Sequence, residues 1–350
     1  MTPGISPAVT GWLTEHIEGV TPPLSFELIA GGRSNLTFAV TDAGGRKVVL
    51  RRPPMSHVLP SAHDMSREFR IISALASTPV PVPAALAFCA DEGVNERPFY
   101  VMDFVEGHVL RSAADVEAAL SKASRAAAAD DLVDVLASIH QVDVDAVGLG
   151  QLARREGYIE RQLRRWYGQF QQSQQQASEV GVYRPVPLVE QVHDLLAARI
   201  PAQQGAAIVH GDYRLDNTIV SAEGKVEAVL DWELCTLGDP LADLGTMLAY
   251  WADDHPGWQA SPTTPQVAAT ALPGFPSRAG LASRYAARSG RDVSQLPFYL
   301  AFAYWKLACI MEGVFVRYAA GSMGTGSDEA GVLGPVVEDR ARRAMAALEG

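Results

Sequence analysis

The stretch IVHGDYRLDNTIV, residues 208–220, decides the reading of this chain. Two short apolar runs flank a polar centre that holds His210, Asp212, Asp216 and Asn217. Short β-branched runs read as strands, so an imidazole, two carboxylates and a carboxamide are gathered where a core strand begins. Downstream, SAEG (221–224) supplies a turn and KVEAVLDW (225–232) a second apolar run. This predicts a β-hairpin with Asn217 just before its first strand and Asp231 at the end of its second. The hairpin folds back the nineteen positions from Asp212 to Asp231, so three oxygen-bearing side chains converge at one end of a ladder. One carboxylate with one carboxamide suits Mg²⁺, which keeps several waters and shares phosphate oxygens. Asp212 is left for another role. Taken alone, an H-G-D triplet also suits a turn with a capping Asp; the spacing to Asn217 and the hairpin to LDWE argue against that simpler account.

HGDYRLDN followed by LDWE resembles the catalytic loop and metal-binding segment of the aminoglycoside phosphotransferase-like and choline kinase-like families, small-molecule relatives of protein kinases. The resemblance implies an α+β, two-lobed, protein-kinase-like fold. A small N-terminal antiparallel sheet with a helix would bind nucleotide, and a larger, mostly helical C-terminal lobe would carry the catalytic β-hairpin. It further implies ATP as phosphoryl donor and Mg²⁺ as cofactor. Asp212 would orient or deprotonate the acceptor hydroxyl, and Asn217 and Asp231 would hold the metal. Phosphoryl transfer needs mainly in-line positioning and charge neutralisation, which one metal and one carboxylate can largely supply. With Asp212 in the base position, His210 reads as a scaffold for the loop backbone and Asp216 as a turn residue.

The rest of the chain fits two lobes, since 350 residues exceed what one core usually fills. FELIA, LTFAVT, RKVVLRR and RPFYVM read as strands, with DAGG (42–45) as the turn between the second and third. Between them, SAHDMSREFRIISALAS (61–77) reads as a helix with a capping-box-like start at Ser61 and Asp64. TPVPVP (78–83) is a connection, and the lobe boundary is expected near Asp103, giving a nucleotide lobe at 1–103 and a catalytic and substrate lobe at 104–350. Helices are expected over 113–140, 151–172, 187–199, 240–252 and 297–318.

Charge and cysteine usage narrow the partners. The net charge of -11 argues against a broad nucleic-acid or anionic-membrane surface, so the expected partner is a small molecule. Cys89, Cys235 and Cys309 lie far apart, without metal-like spacing, and read as reduced buried thiols. The N-terminal MTPGISPAVTGWLTEHIEGV lacks the pattern of a secretory signal, and a cytoplasmic enzyme is expected. Lys306 and Glu312 interrupt the apolar stretch 296–316, which fits a buried core helix better than a bilayer span.

The resemblance extends over roughly residues 24–320 and departs from the kinase pattern in places. AGGRSNLTF (30–38) resembles the loop that covers the nucleotide, placing Gly31, Gly32, Ser34 and Asn35 near phosphates, although a plain Gly-Gly turn explains the glycines equally. The strand lysine is replaced by an arginine, Arg51 in preference to Arg52, with Val49 facing adenine and Glu68 as the partner of the cation. YVMDFVEG (100–107) resembles the hinge, where Met102 would border the base and the backbone from Asp103 to Val105 would pair with it. In GDPLADLG (238–245), Asp239 and Asp243 read as helix-capping and loop-bracing residues.

The acceptor is the least legible part. ARREGYIERQLRRWYGQF (153–170) puts Arg154, Tyr158, Arg161 and Arg165 at helical spacing, either as a solvated face or as a wall for a carboxylate, phosphate or coenzyme A group. An arginine wall would repel a polycationic aminoglycoside. The layout is similar to the branch found fused to acyl-CoA dehydrogenases, which implies a hydroxyacyl-CoA or hydroxy acid as acceptor. An aminoglycoside or choline-type alcohol, or a silent nucleotide-binding module, are the alternatives, and Lys306 or Arg317 could also face the acceptor.

Overall fold

In the computed structural model, residues 5–30, 35–53, 64–252, 269–320 and 327–349 are described. The N-terminal part is an antiparallel five-stranded sheet in the order β1-β2-β3-β5-β4. Its strands are β1 (Ser25–Ala30), β2 (Leu36–Thr41), β3 (Lys47–Arg52), β4 (Ala85–Cys89) and β5 (Phe99–Asp103). The β2–β3 turn forms because Asp42 Oδ1 accepts from the N–H groups of Gly44 and Arg46, each at 2.8 Å. β4 carries no alternation that marks it in the sequence; among the described residues it pairs only with β5, and its register is interrupted between Ala85 and Ala87.

Strand alternation splits the sheet into two faces. Val48 and Leu50 join Phe38, Val40, Phe99 and Val101 under α1 (Ala8–His16), which buries Val9 and Leu13 on that side. Val49 and Arg51 point the other way, toward α2 (Met65–Leu75) and the cleft. Arg52 is therefore on the far face from the cleft residues, where it is buried and donates to the Pro53 carbonyl at 3.1 Å. Helix α2 starts at Asp64, whose side chain accepts from Arg67 N, whereas Ser61 lies outside the described residues. Met65, Glu68, Ile72 and Leu75 recur at helical spacing on its buried face.

From Asp103 onward the chain is mainly helical. The expected helix over 113–140 is two, α3 (Ala113–Ala119) and α4 (Lys122–Gln141), because Ser121 caps α4 by accepting from Ser124 N. Then come α5 (Tyr158–Glu179), α6 (Pro187–Ala198), α7 (Leu241–Ala249), α8 (Arg278–Ser289), α9 (Leu296–Ala319) and α10 (Ser327–Glu349). Helix α5 begins seven residues later than expected, after Gly157 in a left-handed conformation, so Arg154 lies in the preceding loop. The expected hairpin is β7 (Thr218–Val220) with β8 (Val226–Val229), and a second small ladder pairs β6 (Ala207–Val209) with β9 (Thr236–Gly238). Among the described residues, α9 alone is long and apolar enough to cross a membrane, and 78% of its most apolar window is buried inside the protein.

Candidate active site

Three layers hold the loop between β6 and β7. Beneath it lies Asp243 in α7, fully buried, accepting the N–H groups of His210 at 2.6 Å and Gly211 at 2.8 Å. His140 approaches the same carboxylate at 3.4 Å and meets the Tyr285 hydroxyl at 2.7 Å. Burial alone would push Asp243 up; hydrogen bonding and charge from His140, with the His210 and Gly211 neighbours, hold its carboxyl below the usual range. Gly211 itself has φ +88°, and a Cβ there would lie 2.9 Å from the Leu234 backbone oxygen, so only glycine fits the turn.

The second layer is His210, which is fully buried. Its Nδ1 accepts from Asp212 N at 3.2 Å, so the ring proton sits on Nε2 and is donated to the Leu230 carbonyl at 2.8 Å. His210 thereby ties the loop to the end of β8. The third is Lys306 of α9, which donates to the Gly211 carbonyl at 2.6 Å and lies 5.6 Å from the Trp166 ring. Burial pulls the Lys306 ammonium down, and Asp212 opposes that pull. The sequence marks Lys306 only as a charge in an apolar helix; it lies under the loop, bonded to backbone.

Above these layers, Asp212 Oδ2 accepts from Asn217 Nδ2 at 3.0 Å and from Arg214 Nε at 3.1 Å. Both of these bonds go to Oδ2. Asn217 spends Nδ2 on Asp212, including a 2.8 Å bond to its carbonyl, so its Oδ1 is the atom that could hold a cation. The Asn217 carbonyl receives Leu230 N at 2.8 Å, which places Asp231 one residue beyond the pairing. Asp231 is the one non-glycine with positive φ among the described residues, at 65°, a conformation an Asp tolerates and a β-branched residue would not. Arg214 was not singled out in the sequence; it also bonds Asp216 at 2.8 Å and stacks 4.7 Å from the Tyr250 ring centre.

Next to this loop lies a cleft of about 700 Å³. Val49, Arg51, Met102, Asp103, Val105, Asn217 and Asp231 all line it. Arg51 bonds Glu68 Oε2 through Nε at 2.9 Å, and its Nη2 forms a short contact with Asp231 Oδ1. Glu68 is held as well by the Tyr100 hydroxyl at 3.1 Å and by Asn35 Nδ2 at 2.8 Å. Burial pulls Arg51 down, but Glu68, Tyr100 and Asp231 more than offset it and raise its affinity for the proton. Asn35 is buried and bonded to carboxylates, so its side chain supports Glu68. Gly31, Gly32 and Ser34 lie outside the described residues.

Asn217 and Asp231 could supply two oxygen ligands, and no group of three His, Cys, Asp or Glu side chains suited to a metal occurs among the described residues. A hard cation completed by phosphate oxygens and water fits such a pair, whereas a dedicated protein cage does not. Of the α5 residues weighed either as a solvated face or as an anion wall, Tyr158 is buried, with its ring against Gly238, where a Cβ would lie 2.2 Å from the ring. Arg161 donates to the carbonyls of Arg154, at 2.7 Å, and Glu156, because the chain turns at Gly157 and brings them back over the helix start. Arg165 is exposed and lies over the Trp166 ring at 4.9 Å.

A two-lobed α+β kinase-like fold, with a carboxylate, a carboxamide and a second carboxylate at a cleft floored by a β-hairpin, defines the class of small-molecule phosphotransferases. Residues 25–281 match the model of the phosphotransferase enzyme family, and the chain belongs to that family. It is 34% identical over 318 residues to acyl-CoA dehydrogenase family member 10 of Mus musculus, covering 89% of this chain but 28% of the mouse protein. A solved candidate aminoglycoside phosphotransferase of Ralstonia eutropha JMP134 shares 34% identity, with a TM-score of 0.77 over 98% of this chain and 97% of its own. Choline kinase of Cryptosporidium parvum shares the fold, with a TM-score of 0.61 at 10% identity, over 97% of this chain and 96% of its own.

Proposed function

We propose that the chain is an ATP-dependent kinase that moves the γ-phosphoryl group to a hydroxyl of a small molecule, a hydroxyacyl-CoA or hydroxy acid. The observation that carries this reading is the bond of Asp212 Oδ2 to Asn217 and Arg214, which fixes the carboxylate with its other oxygen free for a hydroxyl. Residues 1–103 would serve the nucleotide and 104–350 the catalysis and acceptor. Val49 and Met102 would hold the adenine, with the backbone from Asp103 to Val105 pairing with its edge. Arg51, oriented by Glu68, would clamp the α and β phosphates, and Asn217 and Asp231 would hold Mg²⁺, which supplies neutralisation of phosphate charge when bound. As the acceptor oxygen forms its bond to the γ phosphorus, the β–γ bridging bond breaks, its electron pair leaves on ADP, and the hydroxyl proton passes to Asp212. The mouse relative's acyl-CoA dehydrogenase name favours an acyl acceptor. The proposed setting is the cytoplasm, with no nucleic-acid or membrane partner.

A second reading, a silent nucleotide-binding module, is favoured by one observation: Arg51 stands in the lysine position and contacts the metal-side carboxylate Asp231. Incubation with Mg²⁺-ATP and a panel of hydroxyacyl-CoAs, hydroxy acids, choline and aminoglycosides, with acceptor masses followed, separates the two. The kinase reading expects a phosphorylated acyl acceptor, and expects Asp212→Asn to lower turnover by about 10²–10⁴-fold with nucleotide affinity unchanged. Intact nucleotide binding without any product would favour the silent module.

A further inference from the structure

Arg340 in α10 is 4% exposed, yet among the described residues the nearest carboxylate is that of its neighbour Asp339, at 3.6 Å. That distance exceeds a hydrogen bond, and Asp339 already binds Arg343 at 2.8 Å. No hydrogen bond to Arg340 occurs among the described residues. A buried guanidinium without a hydrogen-bonded anion is costly, so natural proteins supply one or leave a place for one.

What surrounds Arg340 leads to the reacting carboxylate. Its guanidinium lies 5.8 Å from the Tyr304 ring centre, on α9. Arg278 of α8 donates to the Tyr304 hydroxyl at 2.7 Å and to the Trp251 carbonyl at 2.6 Å. Tyr250, which ends α7, carries Arg214 on its ring at 4.7 Å, and Arg214 bonds Asp212 at 3.1 Å. Burial pushes the Tyr250 hydroxyl up, and the charges of Arg214, Asp212, Asp216 and Arg340 all act on it. Arg214 is balanced by Asp212 and Asp216, and Arg343 by Asp339. Among the described residues, Arg340 has one carboxylate within ion-pair range, Asp339 at 3.6 Å, which it shares with Arg343 at 2.8 Å.

We propose that Arg340, framed by Tyr250 and Tyr304, is an anion-binding subsite that takes a carboxylate or phosphate group of the acceptor and so presents the acceptor's hydroxyl toward Asp212. This rests on the reading of Asp212 as the base for phosphoryl transfer. The two aromatic rings would cover the carbon skeleton, and the guanidinium would meet the anionic end in bidentate fashion. A quaternary ammonium would meet the same rings but face the positive charge of Arg340, which separates this site from one for cationic alcohols.

The test uses 4-hydroxybutyrate, its coenzyme A thioester and its primary amide as probes. Binding is measured by calorimetry and turnover with Mg²⁺-ATP, on the wild type, Arg340→Gln and Arg340→Lys. The expected result is acid or thioester binding by the wild type, at least 10-fold weaker binding of the amide, and an acceptor KM raised at least 10-fold in Arg340→Gln. Arg340→Lys recovers most of that loss, and the ATP KM stays unchanged in both variants. Preference for the acid assigns the subsite to a carboxylate, and preference for the thioester assigns it to the coenzyme phosphates. A purely structural arginine would lower the melting temperature of Arg340→Gln, whereas removal of a buried charge held only by the long pair with Asp339 leaves it equal or higher. Unchanged acceptor affinity in Arg340→Gln, or no binding of acid and thioester by the wild type, overturns the subsite. Binding that depends on Arg340 without turnover would leave the subsite standing and defeat the kinase reading instead.

Discussion

Replacing Asp243 by Asn changes one atom pair at the base of the catalytic loop. The carboxylate accepts two backbone N–H groups, from His210 and Gly211, on its two oxygens. An asparagine keeps one acceptor and turns an NH₂ toward the other N–H, so one buried donor loses its partner and meets a second donor. An unsatisfied buried group costs about 1–3 kcal/mol, and a lost charge-assisted bond about 1.5–3 kcal/mol, which sums to about 4 kcal/mol. For 350 residues at about 2.1 cal/mol/K each, the unfolding entropy is about 0.7 kcal/mol/K, so the melting temperature should fall by about 5 °C. The protein remains folded, since domains are stable by about 5–15 kcal/mol. Asp212 is one residue past the loosened N–H of Gly211, and a displacement of about 1 Å costs about 100-fold in rate. Thermal unfolding followed by circular dichroism, together with ADP release under saturating acceptor, measures both. A melting temperature within about 1 °C of wild type and an unchanged kcat would refute the idea that Asp243 braces the loop.

Two further outcomes follow from buried charges. In Arg51→Met, Glu68 and Asp231 lose their shared cation, so the ATP KM should rise at least 10-fold and stability fall by about 3–5 kcal/mol, with Arg51→Lys intermediate; a wild-type ATP KM in the Met variant would remove Arg51 from the phosphate clamp. His140 is pushed down by burial, more than Asp243 draws it up. The unfolded chain then takes up the imidazole proton near pH 6.5 while the folded state resists it, so stability present above that pH is lost as pH falls below it. Melting curves from pH 5 to 7.5 should show this loss, and His140→Gln should flatten it; identical slopes in the two proteins would rule out His140 as the source.

The sequence made the cleft more legible than the acceptor side, for physical reasons. The hairpin holding Asn217 and Asp231 is local, with its turn and both strands within fifteen residues, so period-two alternation and turn chemistry suffice to draw it. The choice of Arg51 over Arg52 also follows from alternation, because adjacent strand residues face opposite ways. Strand β4 escaped notice because it is a short, partly buried edge strand defined by its partner β5. Of Arg154, Tyr158, Arg161 and Arg165, Arg154 alone falls outside the helix, because helical spacing does not extend across Gly157, where the backbone turns left-handed and the helix has yet to begin. Arg214 and Arg340 acquire meaning only from Tyr250 and Tyr304, which reach them from other helices, and no spacing rule links such distant positions.

On the proposed metal site, the contact between Arg51 and Asp231 would set an order of assembly. A bare divalent ion approaching Asp231 would have to compete with a guanidinium already in place, with Asn217 the other ligand proposed to reward it. A nucleotide that brought the ion on its own phosphates would offer Arg51 new oxygens in exchange for the carboxylate it gave up. Free metal should then load poorly and the chelate readily, the resting protein guarding its carboxylate with its own cation.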